Sequence, residues 1–136
     1  MIYHSKQRIY FKDTDAGGIV YHSNYITFAE QARSDMLRDA GYPNTACMRQ
    51  GFAFVIRHVS VDFVAPARLD DELDVQTRIV ACKNASLTFE QTFYRSGDLL
   101  VRVMVEAVCV NRDFKPMRFP DDFRKKFEPY IETPKN

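Results

Sequence analysis

Long apolar runs are missing from this chain of 136 residues. No stretch approaches the ~20 residues needed to cross a bilayer, so no membrane insertion is expected. Met1 to Arg8 are polar and lack the apolar centre of a signal peptide. A charge imbalance is missing too: 19 Lys and Arg stand against 18 Asp and Glu, and a net charge of +1 gives no basis for bulk capture of nucleic acid or a membrane surface. Cysteine is scarce. Cys47, Cys82 and Cys109 are odd in number and widely spaced, which suits neither a disulfide framework nor a zinc site. The pattern predicts a reducing, cytoplasmic setting with the three thiols as apolar filler. His4, His22 and His58 are scattered without metal-ligand spacing, so no metal is expected. There is no Gly-x-Ser-x-Gly elbow, Cys–His pairing pattern or phosphate-binding Gly loop. Nor is there an internal repeat, a low-complexity segment or a linker, and residues 1–136 read as one domain.

What the chain does have is a soluble globular composition, 46% hydrophobic and 27% charged, with a size sufficient for a real core. His4 to Phe11 read as a first strand, ended by the turn-forming Asp13 to Gly18. Ser23 or Asn24 is placed to cap a helix. Tyr25, Ala29, Ala32, Met36 and Ala40 then recur at helical spacing, Phe28 and Leu37 widen the same stripe, and Gly41 with Pro43 closes the element. Thr45 to Gln50 suit a short helical turn. Strands are expected over Phe52 to Ala65, Leu73 to Ala81, Leu87 to Tyr94 and Leu99 to Val110, joined by turns at 69–71, 83–85 and 96–98. The near-continuous Val content of the last strand predicts cover on both faces. Asp121 to Phe127 suit a final helical turn, with Arg124-Lys125-Lys126 as a solvated face. Short turns make antiparallel neighbours, so the fold class is α+β: one long helix packed on a curled five-stranded sheet. One helix covers only one face of five strands, and the other face or an edge should meet a second copy of the chain.

The candidate chemistry sits between Arg8 and Tyr25, where two carboxylates, a Gly pair and a helix start fall together. Helix starts present unpaired N–H groups and a partial positive charge, which can polarise a carbonyl oxygen. Asp13 and Asp15 alternate in direction on extended backbone, so one carboxylate should face a cleft while the other supports the loop. Asp residues in such a turn equally serve as plain turn-formers. Gly17 and Gly18 allow a ligand close to the backbone. His22, near the helix start, suits a surface or capping role. On residues alone the reading ends at a carboxylate at a helix start.

A longer pattern runs through the same stretch: Arg8-Ile9, four residues, Thr14-Asp15, two residues, Gly18-Ile19-Val20, one residue, His22, two residues, Tyr25. It resembles the signature of the hotdog-fold 4-hydroxybenzoyl-CoA thioesterase family, with every position filled. Phe54 to Arg57, Ala65 to Asp71 and Val108 to Val110 are similar to the Tol–Pal-associated acyl-CoA thioesterases, the YbgC-type branch of that family. The resemblance implies a curved antiparallel sheet wrapped around one central helix. It further implies edge-to-edge pairing into a homo-oligomer (a dimer or a dimer of dimers, hence a homotetramer) with active sites at the subunit interface. By the same resemblance Asp15 is the catalytic carboxylate, acting as nucleophile or general base, and the carbonyl-polarising amide falls at about His22, whose side chain also assists in this branch. Gly18, Tyr21 and Tyr25 would line the substrate, and Lys83, Asn84, Ser86 and Lys115 are candidates for the phosphates of coenzyme A. No cofactor is implied, since coenzyme A belongs to the acyl-CoA substrate. Acyl carrier protein is the alternative acyl donor. Two other readings stand beside this one: an acyl-thioester dehydratase or hydratase, disfavoured by the complete Thr14-Asp15 signature, and a binding or scaffold protein of lipid metabolism with little turnover. Fold alone does not choose among them.

Overall fold

Alternation along two consecutive stretches builds the centre of the sheet. Leu73, Val75, Thr77 and Ile79 point inward from one strand, and Leu87, Phe89, Gln91 and Phe93 from the next, while Asp74, Gln76, Thr88 and Glu90 take the other face. The computed structural model describes residues 1–132 and runs β1 (Tyr3–Arg8), α1 (Asn24–Asp39), α2 (Asn44–Arg49), β2 (Ala53–Phe63), β3 (Glu72–Cys82), β4 (Ser86–Arg95), β5 (Asp98–Val110) and α3 (Asp121–Phe127). The five strands form one antiparallel sheet in the order β1-β3-β4-β5-β2, the α+β hotdog arrangement that was expected. Register shifts between Ile56 and His58, Ile79 and Ala81, and Phe93 and Tyr94 bend the strands, and the sheet curls around α1. Tyr25, Phe28, Ala29, Ala32, Met36 and Leu37 form the buried stripe of α1.

The two ends of α1 are built differently. At the C-terminus Gly41 has φ +93°, and the Tyr42 N–H reaches the Leu37 carbonyl at 2.8 Å while Gly41 N–H reaches Arg38 at 3.0 Å. This is the left-handed glycine cap that the sequence suggested. At the N-terminus the expectation needs correction. Ser23 occupies the capping position but is itself helical in φ and ψ and makes no side-chain capping bond, and Asn24 is already inside the helix. The Asn24 side-chain amide reaches back instead to the Asp13 carbonyl. The first strand is also shorter than expected. It ends at Arg8 because residues 11–13 form one tight 3-10 turn, closed by the Asp13 N–H on the Tyr10 carbonyl at 2.9 Å.

β5 is alternately buried at its start and buried on both faces from Ala107 to Val110. The cover comes from the chain after it: Met117 N–H bonds the Cys109 carbonyl at 2.9 Å, and Phe119 N–H bonds the Asn84 carbonyl at 3.0 Å. Cys47 and Cys109 are buried, and burial pushes each thiol up to about 11. Cys82, expected to be filler like them, is only half-buried.

The polar tail closes the core with aromatic rings. Phe123 of α3 lies 4.3 Å from Phe127, 5.2 Å from Tyr42, and 5.4 Å from both Phe52 and Phe54 between ring centres. The Tyr42 hydroxyl donates to Asp122, which locks α3 to the turn after α1. Arg124, Lys125 and Lys126 form the last turn of α3, with Lys125 and Lys126 exposed as expected and Arg124 half-buried. Replacing a ring with this many aromatic neighbours leaves a cavity that rigid strands cannot refill. Phe123→Ala is expected to cost about 3–5 kcal/mol of unfolding free energy, read by urea or thermal denaturation.

Candidate active site

Asp13 and Asp15 flank Thr14 on the first arm of a tight hairpin whose arms pair as Thr14 with Val20, and Asp15 N–H bonds the Ile19 carbonyl at 3.0 Å. Gly18 N–H returns to the Asp15 carbonyl at 3.0 Å, with Gly18 at φ +78°, a backbone conformation that a side chain would strain. The two carboxylates behave differently. Asp13 is only 4% exposed, and its carboxylate accepts the Tyr10 N–H at 2.9 Å and the Lys12 ammonium at 2.8 Å. Its backbone carbonyl accepts the Tyr21 N–H at 3.0 Å and the Asn24 side-chain amide at 2.8 Å. Asp13 is therefore the internal strut of the loop, and Asn24 staples the helix start to it. Asp15 is exposed, with one oxygen accepting the Gly17 N–H at 2.8 Å.

The far side of the hairpin rests on residues 66–71. Val20 N–H bonds the Ala67 carbonyl at 2.9 Å, Leu69 N–H bonds Gly18 at 3.0 Å, and Ile19 bridges Arg68. This second loop is tied back by Asp71, whose carboxylate accepts the Arg68 N–H at 2.8 Å and Arg95 Nη1 at 2.7 Å. Burial works to raise the Asp71 carboxyl, but the Arg95 side chain, then the Arg68 amide and the charges of both arginines, bring it below the usual carboxylate range. Asp71 and Arg95 escaped the sequence reading, because Leu69-Asp70-Asp71 looks like an ordinary turn and its partner is 24 residues on.

Where α1 begins, the N–H groups of His22, Ser23 and Tyr25 donate to no acceptor among the described residues, while Asn24 and Ile26 bond Tyr21 and Ser23. Beside them a cleft of about 250 Å³ opens between the Ile19–Tyr25 segment and residues 63–66. The His22 ring stands edge-on to Phe63 at 6.5 Å and against the exposed Tyr21 at 4.6 Å. Tyr25 lines the cleft but is 2% exposed, and its hydroxyl accepts the Ala67 N–H at 3.1 Å. Burial raises its hydroxyl above the ordinary tyrosine range. Tyr25 thus braces the wall, and the exposed Phe63 and Val64 form the other side, a wall the sequence did not announce.

Of the expected site residues His22 and Tyr25 line the cleft, while Asp15 and Gly18 stand on the adjoining hairpin and Tyr21 on the segment that leads into α1. The structure does not bring Lys83, Asn84, Ser86 or Lys115 to them. Lys83 to Ser86 form the β3–β4 turn, closed by the Lys83 N–H on Ser86 at 2.9 Å, and Lys115 lies beside the end of β5, where its N–H bonds the Asn111 side chain at 3.1 Å. Those four residues gather at the end of the sheet opposite the hairpin, with the length of β4 (roughly 30 Å for ten residues) between them.

Comparison with known proteins supplies the family. The model of the thioesterase-like superfamily matches residues 9–127. The chain is 42% identical over 123 residues to the acyl-CoA thioester hydrolase YbgC of Escherichia coli O157:H7, covering 89% of this chain and 92% of that one. It is 38% identical over 122 residues to the acyl-CoA thioesterase YbgC of Haemophilus influenzae, covering 88% and 90%. The solved structure of Slr0204, a 1,4-dihydroxy-2-naphthoyl-CoA thioesterase from Synechocystis, matches at a TM-score of 0.87 with 23% identity, over 93% of this chain and 96% of that one. That last likeness is one of fold.

The hairpin support has a pH signature. Because the folded Asp71 carboxyl lies below its unfolded value, its contribution is full above the unfolded value and is lost as pH falls through the folded one. Asp71→Asn is expected to cost about 1–2 kcal/mol at neutral pH. The difference from wild type should shrink as pH drops below about 4, measured by denaturant melts at pH 7 and pH 3.

Proposed function

The chain belongs to the thioesterase-like superfamily and is an acyl-CoA thioester hydrolase, and we propose that it cleaves its substrate with Asp15 at the start of α1. The observation that supports this reading is an exposed carboxylate on the hairpin that leads into a helix start, where unpaired N–H groups stand beside a cleft. The thioester carbonyl oxygen takes the amides of His22 and Ser23, where the helix dipole favours the negative charge that develops. Asp15 then acts in one of two ways. As nucleophile, its oxygen attacks the carbonyl carbon, the C–S bond breaks, coenzyme A leaves as a thiolate that takes a proton, and water hydrolyses the acyl-aspartyl anhydride. As general base, it accepts a proton from the water that attacks, and that proton passes on to the departing sulfur. The Asp15–Gly17 bond orients the carboxylate in both. His22, at the cleft wall, assists as a hydrogen-bonding group to the substrate, with Gly18 and Tyr21, its neighbours in the chain, as further substrate contacts. The enzyme acts in the cytoplasm, on coenzyme A esters or on the same acyl groups carried by acyl carrier protein.

A single chain holds only half of this site, and β2 supplies the reason to expect the other half from a second copy. Among the described residues β2 is an eleven-residue edge strand that pairs only with β5, and Val55, Ile56, Phe63 and Val64 are exposed on or just beyond it. Such an edge invites pairing. Two-fold antiparallel pairing of β2 with its copy reverses the second sheet end for end. The partner subunit's β3–β4 turn and the segment after its β5 then lie on the same side as the first chain's Asp15 hairpin. Lys83, Asn84, Ser86 and Lys115 are in this way positioned to receive the phosphates of a coenzyme A whose thioester lies in the first chain. Two such dimers associate into a tetramer.

Thiol release from a panel of acyl-CoAs tests the chemistry. Asp15→Asn keeps the size of the side chain and removes its charge, and kcat is expected to fall about 10²–10⁴-fold with an unchanged melting curve. An Asn variant as active as wild type, or a wild type inactive on every acyl-CoA, overturns the assignment. Val55→Lys places a charge on the pairing edge and is expected to shift sedimentation toward monomer. The same variant should raise KM for acyl-CoA, because the monomer lacks the partner's basic groups.

A further inference from the structure

A second cavity, of about 290 Å³, lies between α1, α2 and the inner face of the sheet. Leu37, Cys47, Phe54, Ile56, Phe89 and Ala107 give it apolar walls. One cation is set into them. Arg33 is half-buried on α1, nine residues past its first residue Asn24, or roughly 14 Å along the helix axis. Its Nη1 donates to Gln91 Oε1 at 3.0 Å, and its guanidinium carbon lies 6.0 Å from the centre of the Phe89 ring. Gln91 is wholly buried and spends its own amide on the Ala29 carbonyl at 2.8 Å and the Thr77 hydroxyl at 3.1 Å. It fixes the head of Arg33 but brings no charge.

Among the described residues no carboxylate lies within ion-pair distance of Arg33. Glu30, exposed one turn earlier, is the one acid lining the cavity, and water screens it at the rim. Ser34 and Asn44, also in the lining, are bonded to each other at 3.2 Å. Burial draws the Arg33 guanidinium below its ordinary range, with Glu30 acting in the opposite sense. A cation held among apolar walls by a neutral amide and a ring face is costly unless an anion joins it.

We propose that this cavity is a second ligand site, one that takes an apolar carboxylate: an aliphatic chain fills the walls, and its carboxylate occupies the remaining N–H groups of Arg33. The hydrolase reading enters only in naming the ligand class, because thioester hydrolysis releases acids of this kind. An apolar cavity of roughly 150 Å³ holds benzene, so about twice that volume suits a chain of around eight carbons. The carboxylate has two sources, a free aliphatic acid or the far end of a dicarboxylic acyl group.

Isothermal titration of the native oligomer with octanoate and with octan-1-ol is the first test, and it needs no variant. Octanoate is expected to bind at least about tenfold more tightly than the alcohol, since a charge-assisted pair is at stake. Arg33→Met should weaken octanoate about ten- to hundredfold, Arg33→Lys should recover part of the loss, and Asp15→Asn should leave it unchanged. Two kinetic arms separate the sources. Octanoate inhibition of octanoyl-CoA hydrolysis that disappears in Arg33→Met identifies the free acid. A KM for suberoyl-CoA that rises in Arg33→Met while that for octanoyl-CoA does not identifies the acyl end. The proposal is overturned by octanoate binding no better than octan-1-ol, by loss of binding in Asp15→Asn, or by unchanged binding in Arg33→Met. A wild type that binds octanoate as expected but hydrolyses no acyl-CoA supports this site and overturns the Asp15 mechanism, so the two failures are told apart.

Discussion

The Asp15 hairpin is held on two sides by backbone hydrogen bonds, and the rest of the site depends on that suspension. On one side Asp13 receives Tyr21 and Asn24, which sets where α1 begins relative to the carboxylate. On the other side Val20 and Leu69 bind the hairpin to residues 66–71, which are anchored in turn by the Asp71–Arg95 pair at the end of β4. These bonds fix the exposed Asp15 relative to the free N–H groups at the start of α1. Backbone bonds provide this at little entropic cost, because the atoms they join are already ordered by the sheet and the helix. The buried carboxylate and the exposed one therefore belong to one frame, held by Asp13 and displaying Asp15 at its surface.

The sheet adds a constraint of scale. Its strands are long enough that the two ends belong to different environments, with the hairpin and helix start at one and the β3–β4 turn and the segment after β5 at the other. Edge strand β2 carries exposed apolar residues along the side where another sheet can join, whereas the shorter β1 carries Lys6 and Arg8, paired with Asp74 and Glu72. Charge on one edge and apolar surface on the other leave a single favourable way to extend the sheet.

The helix-to-sheet contact is not purely apolar either. Thr77 and Gln91 face inward among Val and Phe, and Gln91 joins β4 to the Ala29 carbonyl and to Arg33 of α1. A bonded amide at the centre of an otherwise greasy contact opposes sliding of the helix along the sheet, because any shift leaves buried polar atoms unpaired. The same bond holds the Arg33 head against the second cavity, which ties the position of α1 to the geometry of that cavity.

Period and punctuation were enough, from the amino-acid order alone, to determine the strands, the central helix, its Gly41 terminus and the antiparallel class, since these express local preferences repeated over many residues. The long motif from Arg8 to Tyr25 likewise singled out the segment that carries Asp15 and His22. Only the tertiary structure decided which carboxylate is buried, since Asp13 and Asp15 differ in burial through bonds to Tyr10, Lys12, Tyr21 and Asn24 that residue type does not specify. It alone turned Asn24 from a cap into a staple, gave Asp71 its arginine, made the polar tail an aromatic lid through Phe123, and parted Lys83 and Lys115 from Asp15. The Asp71–Arg95 pair, the Phe123 lid over Tyr42 and Phe52, and the parting of Lys83 from Asp15 rest on partners far apart in the chain. Local sequence encodes the period of an element, whereas a pairing between distant residues is settled only when the core closes and every buried polar group must find a partner.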